Sequence, residues 1–201
     1  MKILWCDTET TGLEPDTGGA FQIAFVYRWG NDPKKNVWER VFYLNPLDAK
    51  YGIEYSESAV QVHGVKRETI ENYDPASIVM PKLAEFLSLF CRGFCEDGEF
   101  EKLFFAGYNC KPFDWGHIDA LLARYTQFHM TDFFNEKPID VMEQVKRAIA
   151  MGFNPVNKKL TTVCKSLGVS LENAHDALGD IKATRICAVA LQRRYNVSLI
   201  V

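Results

Sequence analysis

The stretch MKILWCDTETTGL, residues 1–13, decides the fold. Lys2 to Cys6 is a brief, mostly apolar run, too short for a helix and suited to a buried strand. Asp7 and Glu9 follow it, two positions apart, and side chains two apart on a strand point to the same face. They would project together from the end of that strand. Two carboxylates held so close raise each other's pKa unless something positive sits between them. Their hard oxygens suit Mg²⁺ or Mn²⁺. Taken alone, the pair is more simply a solvated strand end before the turn Thr10-Thr11-Gly12, so its meaning depends on the rest of the chain.

Working outward, Phe21 to Arg28 places Phe21, Ile23, Phe25 and Tyr27 at period two and reads as a second strand. Residues 31–36 form a turn by composition, and Val37 to Leu44 returns as a third strand. An antiparallel meander results. Pro81 to Cys91 carries Leu83, Phe86, Leu87 and Phe90 at helical spacing, with Pro81 suited to a first turn. Leu103 to Ala106 is a buried strand ended by Gly107, and Asp114 then opens a helix with the stripe Ile118, Leu121, Leu122 and Tyr125. Further helices run over Asp140 to Met151 and Leu160 to Leu167, closed by Gly152 and Gly168. The last, about Ala177 to Tyr195, buries Ile181, Thr184, Ala188 and Leu191. Strands first, then strands alternating with helices, indicate an α/β domain with one mixed central sheet.

At 201 residues, 47% hydrophobic and 24% charged, the chain suits a single domain over 1–201 with a real core. It has no internal repeat and no apolar run of about 18 residues to span a bilayer. An acidic residue at position 7 comes too early for a secretory signal, so the expectation is a cytoplasmic protein with no membrane partner. Its six cysteines then read as reduced thiols. The net charge of −3 argues against a protein that coats DNA, yet allows nucleic acid held briefly, at one end.

Two more acidic patches complete the pattern. In Asn109 to Asp114, following the buried strand, Asp114 stands where a helix N-cap belongs, and capping alone would explain it. In His175 to Asp180, residues five apart diverge on a continuous helix. If the helix begins near Asp176 or Ala177, His175 stays on the preceding loop while Asp180 points in from the second turn. Taken alone, a surface-loop histidine is the commoner explanation.

In combination and order, these motifs resemble the DnaQ-like exonucleases, in their histidine-containing DEDDh branch. The D-x-E motif matches Asp7 and Glu9, N-x-x-x-F-D matches Asn109 to Asp114, and H-x₄-D matches His175 to Asp180. Val62-His63-Gly64-Val65 and the segment 66–70 are similar to the family's H-G-I loop, and 159–168 to the helix before its last motif. The resemblance implies a ribonuclease-H-like sheet flanked by helices. It also implies two divalent metal ions, Mg²⁺ or Mn²⁺, on Asp7, Glu9, Asp114 and Asp180, with Asp7 bridging and His175 as general base. An imidazole with an unperturbed pKa near 6.5 suits that work. Thr10, Leu13, His63 and Val65 then correspond to contacts with the terminal nucleotides, and Phe113 to a stacking residue or a core aromatic.

The activity implied is 3′→5′ removal of 5′-mononucleotides from nucleic-acid 3′ ends, single-stranded by preference and DNA first, in repair or replication. An RNA 3′-trimming enzyme is the rival in the same class, and a silent nucleic-acid-binding module the rival in another. Oligomeric state is open, and no segment for a polymerase partner is evident after the last helix. Tyr108 departs from the family, many of whose members carry histidine before the motif asparagine.

Overall fold

The computed structural model describes residues 2–28, 37–93, 100–171 and 174–199. Five strands form one sheet in the order β3-β2-β1-β4-β5: β1 is Ile3–Thr10, β2 Ala20–Arg28, β3 Val37–Tyr43, β4 Phe104–Gly107 and β5 Ile139–Asp140. β1 pairs antiparallel with β2 and parallel with β4, so the meander and the parallel half meet at β1. The mixed sheet is the expected one, with β5 as an unforeseen two-residue addition beside β4. The turn expected over 31–36 lies outside the described residues.

Helices cover both faces. α1 (Glu57–His63), α2 (Arg67–Glu71), α3 (Ala76–Gly93), α4 (Asp114–Tyr125) and α5 (Met130–Phe133) come first in the chain. α6 (Val141–Ala150), α7 (Leu160–Leu167) and α8 (Ala177–Tyr195) follow β5. Alternation along β1 divides the core in two. Leu4 and Cys6 join α3, α4 and α5 residues such as Leu83, Leu121 and Phe133 on one face. Trp5 joins Val145, Val163, Ile181 and Ala188, from α6, α7 and α8, on the other. β2 is buried on both faces from Ala20 to Tyr27, beyond the alternating set expected for it.

Three boundaries correct the sequence reading. β1 continues through Thr10, so Asp7 and Glu9 lie within paired strand rather than at its end, opposite Ala24 and Gln22. α3 begins at Ala76, because the Ala76 amide donates to the Asn45 carbonyl and fixes the first turn there. Pro81 therefore lies inside the helix, not in its first turn. Its ring costs an amide that would bond the carbonyl of Ser77, an exposed residue whose carbonyl water can serve. At the third boundary, the N-cap of α4 is Phe113, and Asp114 is the first helical residue.

α7, α8 and the stripe of α8 fall where the sequence reading placed them, with Gly168 at φ +67° closing α7. Cys6, Cys91, Cys110, Cys164 and Cys187 are buried free thiols, while Cys95 lies outside the described residues. No helix among the described residues is long and apolar enough to cross a membrane.

Candidate active site

β1 carries Asp7 and Glu9 on the face covered by α8, as alternation from Trp5 requires. α8 supplies Asp180 to the same face. Its start is fixed by Asp176, the N-cap, whose side chain accepts from the Gly179 amide. Asp176 also accepts from Gln22 Nε2 at 2.7 Å, and Gln22 Oε1 accepts from the Ala177 amide. A buried glutamine on β2 thus holds the helix terminus against the sheet. Gln22 is the site-shaping residue the sequence reading missed, and its signal was a polar side chain inside the apolar run 20–27.

His175 lies outside the helix, exposed, with φ +71°. Its amide points at Asp180 Oδ2, 3.4 Å away. Glu9, His175 and Asp180 each offer a ligand atom, and these atoms all lie within 4.8 Å of one another. The two residues of the third motif therefore converge, because the helix starts between them.

Asp114 reaches the site from the opposite layer. It is 2% exposed and accepts from Thr8 Oγ1 at 2.6 Å. Capping is not its role, since Phe113 caps α4 without a side-chain bond. The chain turns toward it through Asn109, at φ 56°, whose amide donates to Asp140 Oδ1. Asn tolerates this left-handed geometry better than most residues.

Electrostatics bind the four acids into one cluster. Burial, then Asp114, Asp180 and Glu9, push Asp7 well above the usual carboxylate range. Burial, then Asp180 and Asp114, push Glu9 up to about 8. Burial raises Asp114 to about 7 against the opposing hydrogen bond from Thr8. Burial also raises Asp180, whose buried Oδ1 has no hydrogen-bond partner among the described residues. An orphaned carboxylate oxygen in a set of all-oxygen donors fits a hard divalent cation.

Beside Glu9 opens a cleft of about 280 Å³ walled by Leu13, Val62, His63 and Phe113, with Thr10 at its edge. Leu13 is 76% exposed and sits on a loop held by the close passage of Gly12 and Gly18. A Cβ on Gly18 would lie 2.8 Å from Gly12 Cα. His63 closes α1, and its Nδ1 accepts from the Val65 amide. Its ring packs edge-on to Phe21 at 4.8 Å. Phe113 stands edge-on to His117, also at 4.8 Å, and is half-buried at the cleft rather than in the core. Val65 does not line this cleft, and its carbonyl accepts from the Tyr55 hydroxyl.

Part of the sequence and the whole fold are similar to known proteins. Residues 96–186 match the RNase_T family model, described as Exonuclease. No curated protein matches the chain by sequence. Among solved structures, exonuclease I superposes with a TM-score of 0.78 at 21% identity over 97% of this chain and 41% of its own. The zinc-bound form of the E. coli exonuclease I complex with single-stranded DNA gives the same values. The E. coli enzyme with a dT13 oligonucleotide gives 0.76 and 20%, again over 97% of this chain and 41% of its own. The chain spans about two fifths of the length of these structures. Residues 96–186 are thus similar to an exonuclease family, and the fold of the whole chain is that of exonuclease I, the expected ribonuclease-H-like sheet flanked by helices.

Proposed function

We propose that this chain is a single 3′→5′ exonuclease domain that releases 5′-mononucleotides from single-stranded DNA ends. The observation that carries the reading is the convergence of Asp7, Glu9, Asp114, His175 and Asp180 from β1, α4 and the start of α8 into one solvent-reached cluster. A cluster of raised carboxylates has no structural use that an apolar set would not serve better. It does have a chemical use.

Asp7, Glu9 and Asp180 would hold one divalent ion, and Asp114, with Asp7 bridging, a second, either Mg²⁺ or Mn²⁺. Such ions supply positive charge to the reacting phosphate and its leaving oxygen. The protein's own residues do the rest. His175, on its exposed turn, accepts at a ring nitrogen the proton of the attacking water. The bond from phosphorus to the 3′-oxygen of the preceding nucleotide then breaks. The Leu13–His63–Phe113 cleft holds the terminal nucleoside, with Leu13 placed to separate it from its neighbour. Thr8 fixes Asp114, and Gln22 fixes the end of α8.

The test is digestion of end-labelled single-stranded DNA, duplex DNA, RNA and circular single-stranded DNA with Mg²⁺ or Mn²⁺. The expected result is stepwise shortening from the 3′ end of linear single-stranded DNA, resistance of the circle, and resistance of a 3′-phosphate end. Rapid cutting of the circle overturns the exonuclease reading. Preference for RNA overturns the choice of DNA.

A further inference from the structure

His175 and Asp180, which do not line the nucleoside cleft, line a second opening of about 630 Å³ together with Tyr108, Asn109, Lys158 and Lys159. We infer that Lys158 and Lys159 form a subsite for a backbone phosphate of the substrate strand, and so act as positioning residues for the reaction. The inference rests on the exonuclease reading and extends it to the strand beyond the scissile bond.

Three observations support it. First, both lysines are exposed, and neither ammonium makes an ion pair among the described residues, whereas Lys2, Lys146 and Lys182 all do. Second, their backbone is pinned. Tyr108 donates its hydroxyl to the Lys158 carbonyl at 2.5 Å, and the Lys159 amide donates to Asn157 Oδ1 at 2.9 Å. Tyr108 is the residue that departs from the family's usual histidine, and here it ties the end of β4 to the segment entering α7. Third, the acid behind Asn109 is already engaged. Asp140 accepts from the amides of Asn109 and Met142.

A polyanion must approach a nest of carboxylates in a chain of net charge −3. Fixed cations beside the nest offset that repulsion and set where the strand lies. Glu9 lines the nucleoside cleft, His175 and Asp180 line the lysine opening, and their ligand atoms lie within 4.8 Å of one another, so a strand that occupies both openings meets these residues between two anchors.

The test is a methylphosphonate scan, in which each linkage near the 3′ end of a DNA oligonucleotide is made neutral in turn. KM and kcat are measured for the wild type, K158A/K159A and K158R/K159R. The expected wild-type profile shows one linkage, 5′ of the scissile bond, whose neutralisation raises KM about tenfold, the size of one charge-assisted hydrogen bond. K158A/K159A should raise KM by the same factor on the native strand, keep kcat, and show no sensitivity at that linkage. K158R/K159R should restore it. The dependence of log KM on log salt should also become shallower by about 0.7 for each phosphate the variant no longer neutralises. Identical scans in wild type and K158A/K159A overturn the subsite while leaving the exonuclease intact. A wild type that shortens no oligonucleotide overturns both.

Discussion

Thr8 and Asp114, 106 positions apart, meet in a 2.6 Å hydrogen bond that joins the middle of β1 to the first residue of α4. Thr8 points to the opposite face of the strand from its neighbours Asp7 and Glu9. The acids thus come from both layers of the domain, and this bond places the one that arrives from the far side. Thr8→Val keeps the shape and removes the donor. It should cost about 1.5–3 kcal/mol, the worth of one hydrogen bond to a charged group, with the backbone bonds to Asp114 kept, and lower kcat. Urea unfolding and initial rates check this, and a variant equal to wild type in both would show Asp114 to be placed by other means.

Stability of the metal-free protein should fall as pH rises. Glu9 is raised from 4.5 to about 8, and Asp114 from 3.8 to about 7, in the fold. Between those limits the folded chain binds protons that the unfolded chain has released, so folding is favoured below them and progressively less above. Melting temperatures in EDTA should therefore decline from about pH 4 to pH 8. Saturating Mg²⁺ should recover more at pH 8 than at pH 5. A flat profile in EDTA would contradict the described burial of the cluster.

His175→Ala should lower turnover by about 10²–10⁴-fold, the usual worth of a general base. Metal binding followed by calorimetry should persist, since four carboxylates remain. Near-normal turnover at neutral pH would move the base elsewhere.

Asp176 and Asp180 are one helical turn apart and should behave differently. Asp176→Asn keeps a capping oxygen but cannot accept from both Gln22 and Gly179, so a loss of about 1 kcal/mol is expected with most activity kept. Asp180→Asn should abolish nearly all turnover in a folded protein. The reverse pattern in paired rate and melting measurements would misplace the site by one turn.

Gly107→Ala probes the geometry on which the second motif depends. Its added Cβ would lie 2.6 Å from the Cys6 carbonyl oxygen and 2.7 Å from Cys110 Cβ, with backbone on one side and no room to yield. Overpacking of this kind costs about 1–3 kcal/mol. It should also displace Asp114 and slow the reaction. A melting temperature unchanged by more than a degree would falsify the close approach.

Much of this was legible in the sequence, and the remainder failed for identifiable reasons. Period 3.6 marked α4 and α8, since each buries one well-defined face, and Gly168 marked the end of α7; period two found β2 although that strand is buried on both faces. Chain-local signals could not show that Asn45 begins α3, a partner 31 positions away that overrides the first-turn preference of Pro81. Nor could they separate a capping role for Asp114 from a role toward Thr8, because the deciding partner lies across the fold. Two-residue β5 is too short for any periodicity. The spacing of His175 and Asp180 became informative only with a helix start between them, and Asp176 supplies that start as N-cap.

The candidate site draws on β1, near the beginning of the described chain, and on α8, near its end. In kinetic language, its contacts join the two ends of the domain, and pairings of such long range raise contact order and slow folding because long loops must close. A chain emerging from the ribosome therefore holds Asp7, Glu9 and Asp114 before the His175 and Asp180 of the proposed site have been made. On the exonuclease reading, activity then reports that both ends of the domain have come together.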